Sequence, residues 1–81
     1  MIRVEARLYA TLRKYHPEGQ VGEALVCELA EGTTVQKLLE NELGVSPSEV
    51  KIVFVNGVAQ DFDHVLADGD RVGIFPPVAG G

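Results

Sequence analysis

The residues best placed to do chemistry close the sequence, Val78-Ala79-Gly80-Gly81. None carries a side chain larger than valine, and two φ-locked prolines, Pro76 and Pro77, precede them, so the segment is expected to be a thin, bendable arm on a stiff base. Glycine has no Cβ to shield its carbonyl. Two glycines can therefore thread a narrow channel that a branched residue would block. The expected working group is the terminal carboxylate of Gly81. A carboxylate does not react with nucleophiles unaided, so the chemistry anticipated is activation by ATP to an acyl-adenylate. Transfer of sulfur would follow, giving a C-terminal thiocarboxylate.

The other reactive side chains make weaker sites. Cys27 is the single cysteine, which excludes an internal disulfide and a thiolate-rich metal centre built from this chain alone. It falls on an apolar strand face and reads as a packed thiol, not a sulfur relay. His16 and His64 have no cysteine or carboxylate partners at metal-binding spacing, so no metal is expected. Asp61, Asp63, Asp68 and Asp70 form an acidic loop whose spacing is not that of a calcium loop, and they read as a solvated edge.

A chain of 81 residues buries roughly 60–65% of the surface its unfolded form exposes, enough for one modest core. Seven Lys and Arg against twelve Asp and Glu leave a net charge of −5, with the basic residues scattered singly. Nucleic acid is then a poor partner, because phosphate neutralisation supplies most of that affinity. A basic protein partner suits the net charge better. No apolar run approaches the ~18 residues of a membrane span. The reduced cysteine and the absence of a leader before Ile2 lead to the expectation of a soluble, cytoplasmic protein.

The elements that must position the tail follow from periodicity. Ile2, Val4, Ala6 and Leu8 alternate with Arg3, Glu5, Arg7 and Tyr9, predicting a strand with one buried face. Leu8, Leu12 and Tyr15 predict a short helix before Pro17, and 16–22 a polar turn. Leu25, Cys27 and Leu29 predict a second strand. Val35, Leu38, Leu39 and Leu43 repeat at helical spacing, with Thr34 as N-cap and Gly44 as stop, predicting the main helix. Ser46-Pro47-Ser48-Glu49 predicts one further helical turn. A strand over 51–55, a two-residue turn at Asn56-Gly57, a return strand from Val58, a turn at Asp68-Gly69-Asp70 and a last strand over 71–75 complete the order. That order is an α+β fold, the β-grasp: a mixed sheet of four to five strands gripping one helix, with the first and last strands parallel at its centre. The domain is expected over 1–76 and the flexible tail over 77–81.

In the last strand Val72 and Ile74 share one face, and Gly73 and Phe75 the other. If the former pair enters the core, Phe75 stands on the outer face at the root of the tail, a natural docking anchor unless a loop such as that around Phe62 covers it. Ile52-Val53-Phe54-Val55 is apolar on both faces, whereas a single helix covers only one, so one of its pairs also hints at a partner surface.

Several motifs give the chain a family resemblance: Leu8-Tyr9-Ala10-Thr11-Leu12-Arg13, Gly32-Thr33-Thr34-Val35, Val55-Asn56, Phe62-Asp63-His64, Asp68-Gly69-Asp70 and Phe75-Pro76-Pro77-Val78-Ala79-Gly80-Gly81. Through them the chain resembles the small subunits of molybdopterin synthase, within the ubiquitin-like molybdopterin and thiamine sulfur carriers. The double proline favours the molybdopterin branch. The resemblance implies that Gly81 is adenylated by a ubiquitin-activating-like enzyme, which uses the ATP, and then converted to the thiocarboxylate by a sulfur donor protein. It implies that Ala79 and Gly80 thread the partner's active site and that Phe75, Pro76, Pro77 and Val78 form the docking contact. The partner receiving the tail would be the synthase large subunit, where sulfur passes to a cyclic pterin precursor and the catalytic side chains reside. The chain itself would be a cosubstrate, not an enzyme, with no bound cofactor. Sulfur delivery to thiamine or transfer RNA, protein modification through Gly81, and a binding module with an inert tail are the competing functions.

Overall fold

The structure, a computed structural model, describes residues 1–15 and 24–77. The predicted polar turn and the tail residues Val78, Ala79, Gly80 and Gly81 lie outside the described residues. Five strands, β1 (Ile2–Leu8), β2 (Leu25–Leu29), β3 (Ile52–Val55), β4 (Val58–Gln60) and β5 (Arg71–Phe75), form one sheet in the order β2-β1-β5-β3-β4. β1 and β5 are parallel neighbours at the centre, and every other pairing is antiparallel. This is the β-grasp topology anticipated from the element order.

One sheet face is sealed by the main helix. It begins as α1 (Val35–Lys37) and continues through wide π turns over Leu38–Leu43. The Thr34 side chain accepts from the Lys37 N–H at 3.3 Å, and Gly44, at φ 68°, stops the helix in the left-handed region. Two more of the first N–H groups, on Val35 and Gln36, donate to the carbonyls of His64 and Phe62 at 3.0 and 2.9 Å. The loop after β4 is thus stitched to the helix start, which satisfies donors that a helix leaves open. Sequence spacing predicted the apolar stripe but not the π turns, because it reads which side chains share a face and not which carbonyl each N–H reaches.

The core fills with Val4, Ala6, Leu12, Leu29, Val35, Leu38, Leu39, Val53, Val72 and Ile74, all at most 2% exposed. Leu43, the last helical residue, is only half-buried. The segment after β1 is a 3-10 helix, Ala10–Tyr15, of which Leu12 enters the core. A second 3-10 turn, Pro47–Glu49, is capped by the Ser46 side chain and leads into β3. The β3–β4 turn has positive φ at both Asn56 (54°) and Gly57 (83°), as a two-residue hairpin requires.

Candidate functional site

β5 is the strand from which the tail departs, and its neighbours fix where that happens. The Tyr9 N–H donates to the Ile74 carbonyl at 3.1 Å, and the Lys51 N–H to the Phe75 carbonyl at 2.8 Å. β5 is therefore held on both sides up to its last residue. Pro76 is buried and Pro77 exposed, so the emergence of the chain falls between them. Of the residues expected to meet a partner, Phe75 is half-buried, Pro76 belongs to the packed body and Pro77 stands in solvent; Val78 and the threading and reactive residues lie outside the described segments.

The alternation of β5 sends Val72 and Ile74 into the core and Gly73 and Phe75 to the open face of the sheet. There the Phe75 ring stacks on Tyr9, centroids 4.4 Å apart and planes 1° from parallel, and meets the Phe54 edge at 5.6 Å and 89°. Offset or perpendicular aromatic contacts of this kind add about 0.5–1.5 kcal/mol each beyond area burial. The loop around Phe62 does not form this cover: Phe62 packs against the core cluster. Gly73 lies beside the stacked rings: a Cβ there would stand at ordinary contact distance, 3.4 Å from Phe75 Cε1 and 3.5 Å from Tyr9 Cε2. In β3, Val53 and Val55 face inward, so Ile52 and Phe54 are the outward pair, both half-buried.

Arg7, Tyr9, Phe54, Gly57, Arg71 and Phe75 border a shallow depression of ≈ 220 Å³ on this face. Small-molecule sites usually enclose ~300–1,000 Å³. The depression suits a protruding side chain of a protein better than a cofactor. Glu5 lies 3.8 Å from Arg7 and 4.0 Å from Arg71, and Arg3 pairs with Glu28 at 3.0 Å across β1 and β2. Among the described strand residues the outward charges are thus Arg3, Arg7 and Arg71 against Glu5 and Glu28, one positive charge in excess within a chain of charge −5. Net charge pointed to a basic partner.

Tyr9 is the site residue that sequence reasoning missed. The signal was present, because the period of two places this aromatic ring on the same face as Arg3, Glu5 and Arg7. A second missed group joins the segments flanking β5. Glu49 accepts from Lys14 Nζ at 2.9 Å and from the Tyr15 hydroxyl, linking Ala10–Tyr15 to Pro47–Glu49. Its hydrogen bonds from Tyr15 and then Lys14 hold the Glu49 carboxyl below the usual range. The same bonds to Glu49 raise the Lys14 ammonium and the Tyr15 phenol above theirs.

The remaining candidates fall into place as structural groups. Cys27 is half-buried, its Sγ 3.8 Å from the Leu25 carbonyl, and burial, then the charge of Glu42, pushes its thiol pKa up. A thiol so placed is a poor nucleophile. Asp61, Asp63 and Asp68 are exposed as expected, but Asp70 is not part of a solvated edge: it is 8% exposed. It accepts from Asn56 Nδ2 at 2.9 Å and from the Ala67 N–H at 2.8 Å. Turn chemistry explains the correction, because a carboxylate can fold back onto backbone donors three residues away. Among the described residues no three His, Cys, Asp or Glu side chains cluster to hold a metal ion, and no helix is long and apolar enough to cross a membrane.

A five-stranded β-grasp sheet on one helix, with its central C-terminal strand running into the tail, defines a ubiquitin-like protein. The chain belongs to the Mut7-C ubiquitin family, whose profile matches residues 1–80. It is 59% identical over 27 residues, a third of either chain, to the molybdopterin synthase sulfur carrier subunit of Escherichia coli (strain K12). A Pyrococcus furiosus structure assigned as molybdopterin converting factor, subunit 1, superposes with a TM-score of 0.73 at 29% identity, covering 96% of this chain and 100% of that one. The complex of subunits 1 and 2 of the molybdopterin-converting factor from Helicobacter pylori 26695 contains a chain matching with a TM-score of 0.61. At 23% identity over 99% of this chain and 100% of that one, this last likeness speaks for the fold alone. The resemblance drawn from the sequence motifs agrees with these relatives.

Proposed function

We propose that this protein is a sulfur carrier acting as the small subunit of a molybdopterin synthase, with the Gly81 carboxylate as the group that carries the sulfur. The observation that supports this most is the aromatic stack of Tyr9, Phe54 and Phe75 on the sheet face opposite the main helix, which no element among the described residues covers, at the end of the strand that leads to the tail. A docking surface there puts the tail at a partner's active site with only a few residues between anchor and reacting carbon. The likeness to the Escherichia coli and Pyrococcus furiosus proteins supports the branch.

In this reading a carboxylate oxygen of Gly81 attacks the α-phosphate of ATP bound by an adenylating enzyme, and pyrophosphate leaves. A donor protein then presents the sulfur as a persulfide, whose outer sulfur attacks the activated carbonyl and displaces AMP. A thiol next attacks the donor's own sulfur in the acyl disulfide so formed, which breaks the S–S bond, releases the thiocarboxylate and leaves a disulfide behind. Ala79 and Gly80 thread the active site. The large subunit of the synthase receives the tail, and its side chains perform the catalysis. The carrier binds no cofactor of its own.

Intact-mass measurement tests this directly. The chain is incubated with ATP, a sulfur source and an adenylating enzyme of the ubiquitin-activating type. Replacement of one oxygen by sulfur, mapped to Gly81 as the terminal residue, is the expected result. An unchanged mass with every competent enzyme would sink the proposal, as would full activity after removal of Gly81. Conjugates on lysines would instead mark a protein modifier. Rescue of a thiamine auxotroph, but not of a strain lacking the molybdopterin small subunit, would move the chain to the thiamine branch.

A further inference from the structure

The β3–β4 hairpin turns on Asn56-Gly57. Asparagine followed by glycine readily loses its side-chain amide, because glycine has no Cβ to hinder the approach of its backbone nitrogen to the asparagine Cγ. The fold adds no shield here: Asn56 is exposed, and nothing lies within 4 Å of where a Cβ on Gly57 would stand. What restrains the carboxamide is a clasp. Asn56 Nδ2 donates to Asp70 Oδ1 at 2.9 Å, and Asn56 Oδ1 accepts from the Arg71 N–H at 3.0 Å. Asp70 is itself buried and anchored by the Ala67 N–H at 2.8 Å, so the clasp has a fixed base. Ring closure needs the carboxamide to swing toward the Gly57 nitrogen. Both of its hydrogen bonds must break first.

We propose that Asn56-Gly57 is a self-modification site gated by Asp70, and that its conversion to isoaspartate limits the working life of the docking face. The backbone nitrogen of Gly57 bonds to Asn56 Cγ and gives up its hydrogen, the Cγ–Nδ2 bond breaks, and ammonia leaves with that proton. Water then adds to the cyclic imide. Addition at the main-chain carbonyl carbon yields isoaspartate, with the chain now running through Cβ and Cγ; addition at Cγ yields aspartate. Water is the one co-reactant, and nothing is oxidised or reduced. Either product removes the Nδ2 donor from which Asp70 accepts and adds a carboxylate at position 56: aspartate sets it against Asp70 where the donor had been, and isoaspartate carries it on Cα. Gly57 and Arg71 border the depression beside Phe54, so an extra backbone carbon in the hairpin shifts its rim. The modification site stands independently of the sulfur-carrier reading; only its consequence for docking rests on it.

The test follows the ageing of the full chain in warm neutral buffer without any partner, with peptide mapping for aspartate and isoaspartate at position 56. The folded chain is expected to react roughly tenfold or more slowly than the chain unfolded in urea, since it must open locally first. Asp70→Ala, shown to be folded by circular dichroism, should move toward the unfolded rate. If that variant does not fold, hydrogen exchange of the Arg71 N–H in the unaltered protein reads the same opening, and its rate should rise with sub-denaturing urea in parallel with deamidation. Equal rates in folded and unfolded chains, a folded Asp70→Ala no faster than its parent, or a urea response unlike that of Arg71 exchange would each overturn the gate. An unfolded chain that leaves Asn56 intact would overturn the site.

Discussion

Along β5, Val72 and Ile74 are 1% and 0% exposed beneath the main helix, while on the opposite face the Phe75 ring packs on Tyr9 and Phe54 beside Gly73. The two faces of one strand are thus made differently. The inner face is aliphatic and fully enclosed, where each methylene removed leaves a void. Around its depression the outer face gathers three aromatic rings, Arg7, Arg71 and two glycines, a composition that folding does not require of a surface. Aromatic rings left half-covered are what a partner can finish burying, and they lose little side-chain entropy in doing so. The comparison separates the residues that make the domain from those that would let it dock.

The contrast is sharpest in a matched pair of substitutions. Ile74→Ala should cost about 2–5 kcal/mol of unfolding free energy, because it opens a cavity in a sealed core. Phe75→Ala should cost less, about 1–3 kcal/mol for its two lost ring contacts, yet weaken partner binding by about 2 kcal/mol or more. Urea denaturation and titration calorimetry with the adenylating enzyme or synthase large subunit read the two quantities. Equal stability losses would mean that the stack belongs to the core and not to a docking surface.

Asp70→Ala comes next. It strands donors on Asn56 and Ala67 and should destabilise by about 1–3 kcal/mol. Amide protection should fall first around the hairpin and the 67–70 turn. A smaller effect is expected at Cys27: with its thiol pKa raised by burial, alkylation at neutral pH should be slower than that of a free cysteine, and unfolding should restore the rate. Fast labelling of the folded chain would reopen a role for that sulfur.

The smallest effect is electrostatic. Because the Glu49 pKa is lower in the folded state than in the unfolded one, its contribution is present above the unfolded pKa and is lost as pH falls through the folded value. Lys14 and Tyr15 are raised by the same contacts, so theirs is present below their unfolded pKa values and lost as pH rises through the folded ones. These side chains are solvent-screened, so the change is modest. Glu49→Gln should flatten the acid limb of a stability-against-pH curve; an unaltered limb would show that Glu49 contributes nothing to it.

What the sequence determined by itself was the order and polarity of the elements. Periods of two at Ile2–Leu8 and Arg71–Phe75, helical spacing from Val35, and punctuation at Thr34, Gly44 and Asn56-Gly57 depend on local backbone preferences and burial, which act on neighbouring residues. The outward position of Phe75 followed from the same alternation. Only the tertiary structure decided what Phe75 touches, because Tyr9, Phe54 and Phe75 come together through the pairing of β1, β5 and β3 and not through spacing along the chain. The burial of Asp70 against Asn56 and the joining of Lys14 and Tyr15 to Glu49 were decided in the same way. Side-chain contacts between distant segments depend on where the sheet brings the backbone, and that register is set by the whole core at once.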